Sequence, residues 1–158
     1  MITFERNGKR FNHRAVGVLL HEERVLLHRA EWDDFWALPG GRVELLEPSA
    51  ETLKREMHEE LSVDIRVERL LWVLENFFEY QGEQFHELGL YYLISLPPDC
   101  PLLQREGPFP GDEQGVPLIF HWFPLDLLPD IILYPTFLRH ALSSLPDHPL
   151  HLVHTDDK

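Results

Sequence analysis

The chain has 158 residues, enough to bury one full core, and its 44% hydrophobic and 26% charged content marks a globular protein, not a disordered one. A formal charge of −13 excludes a surface that coats nucleic acid, which needs a basic face, but not a site for small phosphorylated molecules, because bound cations invert the local field. One cysteine, Cys100, excludes an internal disulfide framework, no run approaches the ~18 apolar residues of a membrane span, and the opening MITFERNGKR has no apolar signal core, so cytoplasmic residence without membrane or nucleic-acid partners is expected.

Thr3 to Phe11 alternates around Asn7-Gly8, a dipeptide that favours a tight hairpin turn. Ala15 to Leu20 is a continuous apolar run and predicts a buried strand; after the polar turn Glu22-Glu23, Val25-Leu26-Leu27 predicts the next. Arg14, His28 and Arg29 flank these strands, as phosphate contacts or as plain surface groups. Trp32 to Trp36 (WDDFW) is a loop dense in aromatics and acids, and acids beside aromatics suit a rim better than a core. Trp32, Phe35 and Trp36 here, with Phe77, Phe78 and Tyr80 later, are candidate faces for a nucleobase; packing is the competing role for each. Leu38-Pro39-Gly40-Gly41 follows, and paired glycines let the backbone turn sharply and approach a ligand.

Gly41 to Val63 reads GRVELLEPSAETLKREMHEELSV. Ala50, Leu53, Met57 and Leu61 recur at helical spacing and predict a buried stripe. Glu56, Glu59 and Glu60 stand at i, i+3 and i+4, so three carboxylates share one side, beside the stripe and at the edge of the core. Like charges so placed destabilise a helix by a few tenths of a kcal/mol. A divalent cation removes that penalty, and clustered carboxylate oxygens are what Mg²⁺ or Mn²⁺ prefers. A solvated acidic face with Lys54 and Arg55 as neighbours is the alternative.

Ile65 to Leu74 and His86 to Leu96 predict two long strands, joined as a hairpin through a strand end and turn at Asn76–Gly82. Pro97 to Pro117, rich in Pro and Gly, predicts a long loop; Leu118 to Phe123 a short strand; and Thr136 to Leu145 a helix started by Pro135. The tail carries His148, His151 and His154, every third residue, a spacing weighed for a metal and set against a solvated tail. The whole, residues 1–158, is read as one domain, with the hairpin (about 1–12) and the tail (about 146–158) peripheral.

Gly41, Glu47, Arg55-Glu56, Met57, Glu59-Glu60 and Val63 stand at the offsets of G-x5-E-x7-R-E-(apolar)-x-E-E-x-G-(apolar), and this segment resembles the signature of the Nudix hydrolases. Ser62 replaces its last Gly, and Leu46 stands where a Gly often precedes the first Glu. The Ser62 departure touches the turn that ends the helix, where Gly takes φ > 0 freely. The resemblance implies an α/β/α sandwich with a mixed sheet and a loop-helix-loop. It implies metal ligands among Glu56, Glu59, Glu60, the Gly40 carbonyl and Glu47, the last through a water, with Arg55 orienting the carboxylates. It also implies Mg²⁺-dependent hydrolysis of a diphosphate linkage in a nucleoside diphosphate derivative or nucleoside triphosphate, with Mn²⁺ as a substitute cation and a homodimer as a common assembly. The general base is Glu59 or Glu56 of the helix, or Asp112 or Glu113 of the long loop. Arg29, Arg42, Trp32, Phe35 and Phe78 are the substrate-binding candidates. A silent nucleotide-binding sensor is the alternative, against which the intact, charge-crowded helix argues. A diphosphate isomerase needs a Cys placed for proton transfer, and Cys100 in a Pro-rich loop is badly placed.

Overall fold

The structure, a computed structural model, describes residues 1–111 and 115–156. Strands β1 (Thr3–Arg6) and β2 (Lys9–His21) form the expected hairpin, and Asn7 and Gly8 take φ of 54° and 76°, the left-handed pair that a type I′ turn requires. The second arm of this hairpin does not stop at Phe11. It runs unbroken to His21 as the central strand, so the hairpin is the start of the main sheet.

Three further strands pair with β2. β3 (Arg24–Ala30) joins its far end and β4 (Gly40–Arg42) its middle, both antiparallel, whereas β6 (Glu83–Ser95) runs parallel along Lys9–Leu19. β5 (Arg66–Tyr80) is antiparallel to β6. It continues past Asn76 because its alternation does, and the turn falls at Gln81-Gly82, with φ of 50° and 78°. β7 (Phe109–Pro110) and β8 (Leu118–Pro124) extend the β3 side, and β9 (Leu150–Thr155) adds to β5 as a parallel edge strand. The expected long loop holds a 3₁₀ turn, Pro101–Gln104, anchored by buried Leu102 and Leu103.

Helix α1 (Ser49–Leu61) covers one face of the sheet, burying Leu53, Met57 and Leu61 against Ala15, Leu19 and Ile94; Ala50, expected in that stripe, is only half-buried. Ser62 ends the helix at φ 55° and donates its N–H to His58 O, so serine occupies the left-handed position that favours glycine. The opposite face packs Val16, Val18 and Leu74 against Leu128, Leu133 and Leu138, from the 3₁₀ segment Leu125–Asp130 and the short helix α2 (Leu138–Ala141). The layers are those of the expected α/β/α sandwich. α2 is shorter than the helix expected over 136–145, because i→i+3 bonds at both flanks (Arg139 to Thr136, Ser144 to Ala141) tighten the chain into 3₁₀ turns.

The tail histidines do not converge. Residues three apart on a strand face opposite sides, and His151 meets Glu75 at 2.6 Å while His154 meets Asp156 at 3.0 Å.

Candidate active site

Arg55 organises the acidic helix. Its Nε and Nη2 donate to the two oxygens of Glu47 at 2.9 and 3.0 Å, a bidentate pair, and its Nη1 reaches Glu56 at 2.9 Å and Glu59 at 3.4 Å. Thr52 Oγ1 donates to Glu47 as well, at 2.5 Å. The Arg55 hydrogen bonds first, then that of Thr52, hold the Glu47 carboxyl at about 2; the same pairing, led by Glu47, raises Arg55. Glu47 was expected at the metal through a water. Its oxygens are instead given to Arg55 and Thr52, so Glu47 holds the residue that holds the other carboxylates.

The three helical carboxylates differ in environment. Glu60 is buried, 3% exposed, whereas the Glu56 side chain is 15% exposed and that of Glu59 is 47% exposed. Glu56 presses on Gly41 so closely that a Cβ there would lie 2.3 Å from its Cδ. A Cβ on Gly40 would lie 2.2 Å from Ala15 O, so β4 can pair with β2 only as glycine. Among the described residues no three His, Cys, Asp or Glu side chains already meet around one point, since Arg55 draws Glu56 and Glu59 onto its own guanidinium. The donor set nevertheless suits a hard divalent cation: three carboxylates on one helical turn, beside a backbone stripped of Cβ atoms.

Glu60 and Gly40 open into a cavity of about 460 Å³ on the α2 side of the sheet. Arg14 and Arg42, cross-strand partners on β2 and β4, stand next along its floor. Beyond them come the buried Asn12, Glu87 and Asn76, and then the aromatics Phe78 and Phe85, stacked at 5.0 Å, with Phe35 and Tyr134 closing the far wall. Burial raises the Glu87 carboxyl against the opposing pull of Arg14, Asn12 and Arg42, and burial and the Glu87 charge raise Tyr91. His28, also on the wall, is pushed down to about 3 by burial and the charge of Arg14, so its ring is neutral.

Of the expected substrate residues, Arg42, Phe35, Phe78 and Arg29 line this cavity. Arg29 nevertheless spends one nitrogen on the carbonyls of Ala30, Glu31 and Asp33 and lies over Trp36, so it fastens the WDDFW loop. Trp32 is 58% exposed and donates to Tyr80 Oη at 3.3 Å, outside the cavity lining. Trp36 packs on Phe123 and Phe77 on His86, away from any ligand face. Asp112 and Glu113, the loop candidates for the base, lie outside the described residues.

The NUDIX domain family model matches residues 11–143. The chain belongs to the NUDIX domain family. A Bacillus subtilis (strain 168) protein provisionally named ADP-ribose pyrophosphatase, YjhB, is 31% identical over 117 residues, covering 73% of this chain and 51% of that protein. The chain thus spans about half the length of the curated relative it matches. Among solved structures, a UDP-X diphosphatase superposes with a TM-score of 0.59 at 22% identity, covering 88% of this chain and 66% of the other. A MutT NUDIX hydrolase from Burkholderia pseudomallei superposes with a TM-score of 0.51 at 28% identity, covering 82% of this chain and 95% of the other. Nudix enzymes in general work with a divalent metal on small nucleotide derivatives. The Nudix helix was legible from its spacing, but Asn12, Glu87, Phe85 and Asp156 were not singled out. Asn12 and Glu87 carry a signal, a polar residue on the inward face of β2 and of β6 once each strand is written as alternating faces; Phe85 is the next residue along that face of β6, and Asp156, which also lines the cavity, follows β9.

Proposed function

We propose that this Nudix hydrolase cleaves the diphosphate linkage of a nucleoside diphosphate joined to a second group, with Mg²⁺ as its cation and Mn²⁺ as a substitute. One observation carries the reading: the cavity joins the Glu60–Gly40 end of the acidic helix, through two arginines, to an aromatic chamber. That order, carboxylates then cations then ring faces, matches a substrate with a diphosphate at one end and a nucleoside at the other. The name of the Bacillus subtilis relative supports the same class.

Glu56, Glu59, Glu60 and the Gly40 carbonyl are the groups that would hold the cation, which when bound neutralises diphosphate oxygens and acidifies a water. Arg14 and Arg42 orient the diphosphate by charge and hydrogen bonding. Arg55, braced by Glu47, keeps Glu56 and Glu59 from turning away into solvent. Glu59, the most exposed of the three, takes the proton of the attacking water. Phe35, Phe78 and Phe85 supply faces for the nucleoside.

The test is a substrate screen with Mg²⁺ and with Mn²⁺, products separated by chromatography, over ADP-ribose, nucleotide sugars, dinucleoside polyphosphates and nucleoside triphosphates. Metal-dependent cleavage of a nucleoside diphosphate derivative, lost by about 10³-fold or more in Glu60→Gln with the melting temperature kept, is the expected result. Equal turnover in Glu60→Gln, or cleavage of triphosphates alone, overturns the reading.

A further inference from the structure

The floor of the cavity is ordered by strand register. On the inward face of β2, Val16 pairs with Gly40, Arg14 with Arg42, and Asn12 with Glu87, which in turn pairs with Asn76 on β5. Four residues of strand separate the Gly40 level from the Asn12 level, about 13 Å at about 3.3 Å per residue. A diphosphate lying over Arg14 and Arg42 therefore delivers its nucleoside to the row Asn12–Glu87–Asn76. The next inward pair on β6 and β5, Phe85 and Phe78, forms a stacked aromatic surface beside that row.

The three polar residues of the row are not equivalent. Asn12 is committed: its Oδ1 accepts from Thr3 Oγ1 at 2.7 Å and its side chain hydrogen-bonds Glu87. Glu87 is 8% exposed and held by Asn12 and by the charges of Arg14 and Arg42. Asn76 is 4% exposed, lines the cavity, and its Oδ1 meets no donor among the described residues. A buried acceptor without a donor destabilises the fold by about 1–3 kcal/mol. A ligand that supplies the donor removes that penalty.

We propose that Glu87 and Asn76 determine nucleobase specificity: two buried acceptors take N–H donors on one edge of a planar base whose face rests on Phe78 and Phe85. The inference rests on the nucleoside diphosphate reading and assigns the base subsite within it. Acceptors facing inward select bases rich in donors, and they reject analogues that lack them because the acceptors are then left dry. The adjoining aromatic pair favours a flat ring over the hydroxyls of a sugar.

Binding of nucleoside monophosphates tests this without any turnover, so its failure is separable from failure of the hydrolase reading. AMP, GMP, CMP and UMP are titrated calorimetrically beside purine riboside and pyrimidin-2-one riboside monophosphates, which lack the donors, and beside the 2′-deoxy forms. The proteins are the unaltered chain, Glu87→Gln and Asn76→Leu. At least one donor-bearing base is expected to bind about 10- to 100-fold more tightly than its donor-less counterpart, and both substitutions should bring that ratio close to one. Asn76→Leu should keep or raise the melting temperature, since it removes a buried acceptor, and this separates lost recognition from lost folding. The proposal is overturned if no base is preferred to its donor-less counterpart, if the preference survives both substitutions, or if the discrimination they remove is against the 2′-deoxy sugar.

Discussion

Gly41→Ala tests the packing of the acidic helix against β4. An ordinary carbon–carbon contact is about 3.5 Å. The new Cβ would stand 2.3 Å from Glu56 Cδ and 2.7 Å from Oε1, so the carboxyl carbon must recede by about 1.2 Å. Receding stretches the Arg55–Glu56 bond of 2.9 Å. That charge-assisted bond is partly exposed, so its loss with the accompanying strain should destabilise the fold by about 1–2 kcal/mol. For a chain of this size the melting temperature falls by about 2–4 °C per kcal/mol. The same displacement moves a proposed metal ligand, and a misplacement near 1 Å lowers turnover by about 100-fold. Thermal melts and steady-state hydrolysis measure both. A double-mutant cycle adds the decisive control: Glu56→Ala removes the three atoms nearest the new Cβ, and in that background Gly41→Ala should change stability by less than about 0.5 kcal/mol. Unchanged melting and turnover in Gly41→Ala, or an equal loss of stability in the Glu56→Ala background, would refute the close contact as the cause.

Glu47 makes stability depend on pH. Its folded value of about 2 lies below the ordinary 4.5, so its pairing is fully present above about pH 4.5 and is lost as pH falls toward about 2. Glu47→Gln should remove about 1 kcal/mol of that acid-sensitive stability, discounted for exposure, and flatten the low-pH limb of a melting-temperature profile. A profile identical to that of the unaltered chain counts against the pair. Ser62 at φ 55° and the fully exposed Leu46 at φ 66° both occupy left-handed backbone. Ser62→Gly and Leu46→Gly should each stabilise by about 0.5–1 kcal/mol in denaturant unfolding, and destabilisation by either shows that a side-chain contact outweighs the strain. Millimolar Mg²⁺ should raise the melting temperature by relieving the crowding of Glu56, Glu59 and Glu60, and should do so much less in Glu60→Gln. A melting temperature indifferent to the cation argues against those carboxylates as its ligands.

The sequence by itself determined the acidic helix and most of the strands. Helical spacing is local, so the positions of Glu56, Glu59 and Glu60 on one side, the buried stripe of Leu53 and Met57, and the turn chemistry at Asn7-Gly8 follow from residues a few places apart. Arg55 was legible as the partner of the acids for the same reason. Tertiary structure decided what the local code does not contain. The extent of β2 and β5 depends on pairing with β6 over many residues, so turn-like residues such as Asn76 remained strand. The helix after Pro135 is shorter than its spacing predicts, because i→i+3 bonds at Arg139 and Ser144 replace helical ones at its ends. Above all, the cavity floor is a row across three strands whose members, Asn12, Asn76 and Glu87, are far apart in the chain. Only register, set by long-range hydrogen bonding and by which strand face is buried, brings such residues side by side.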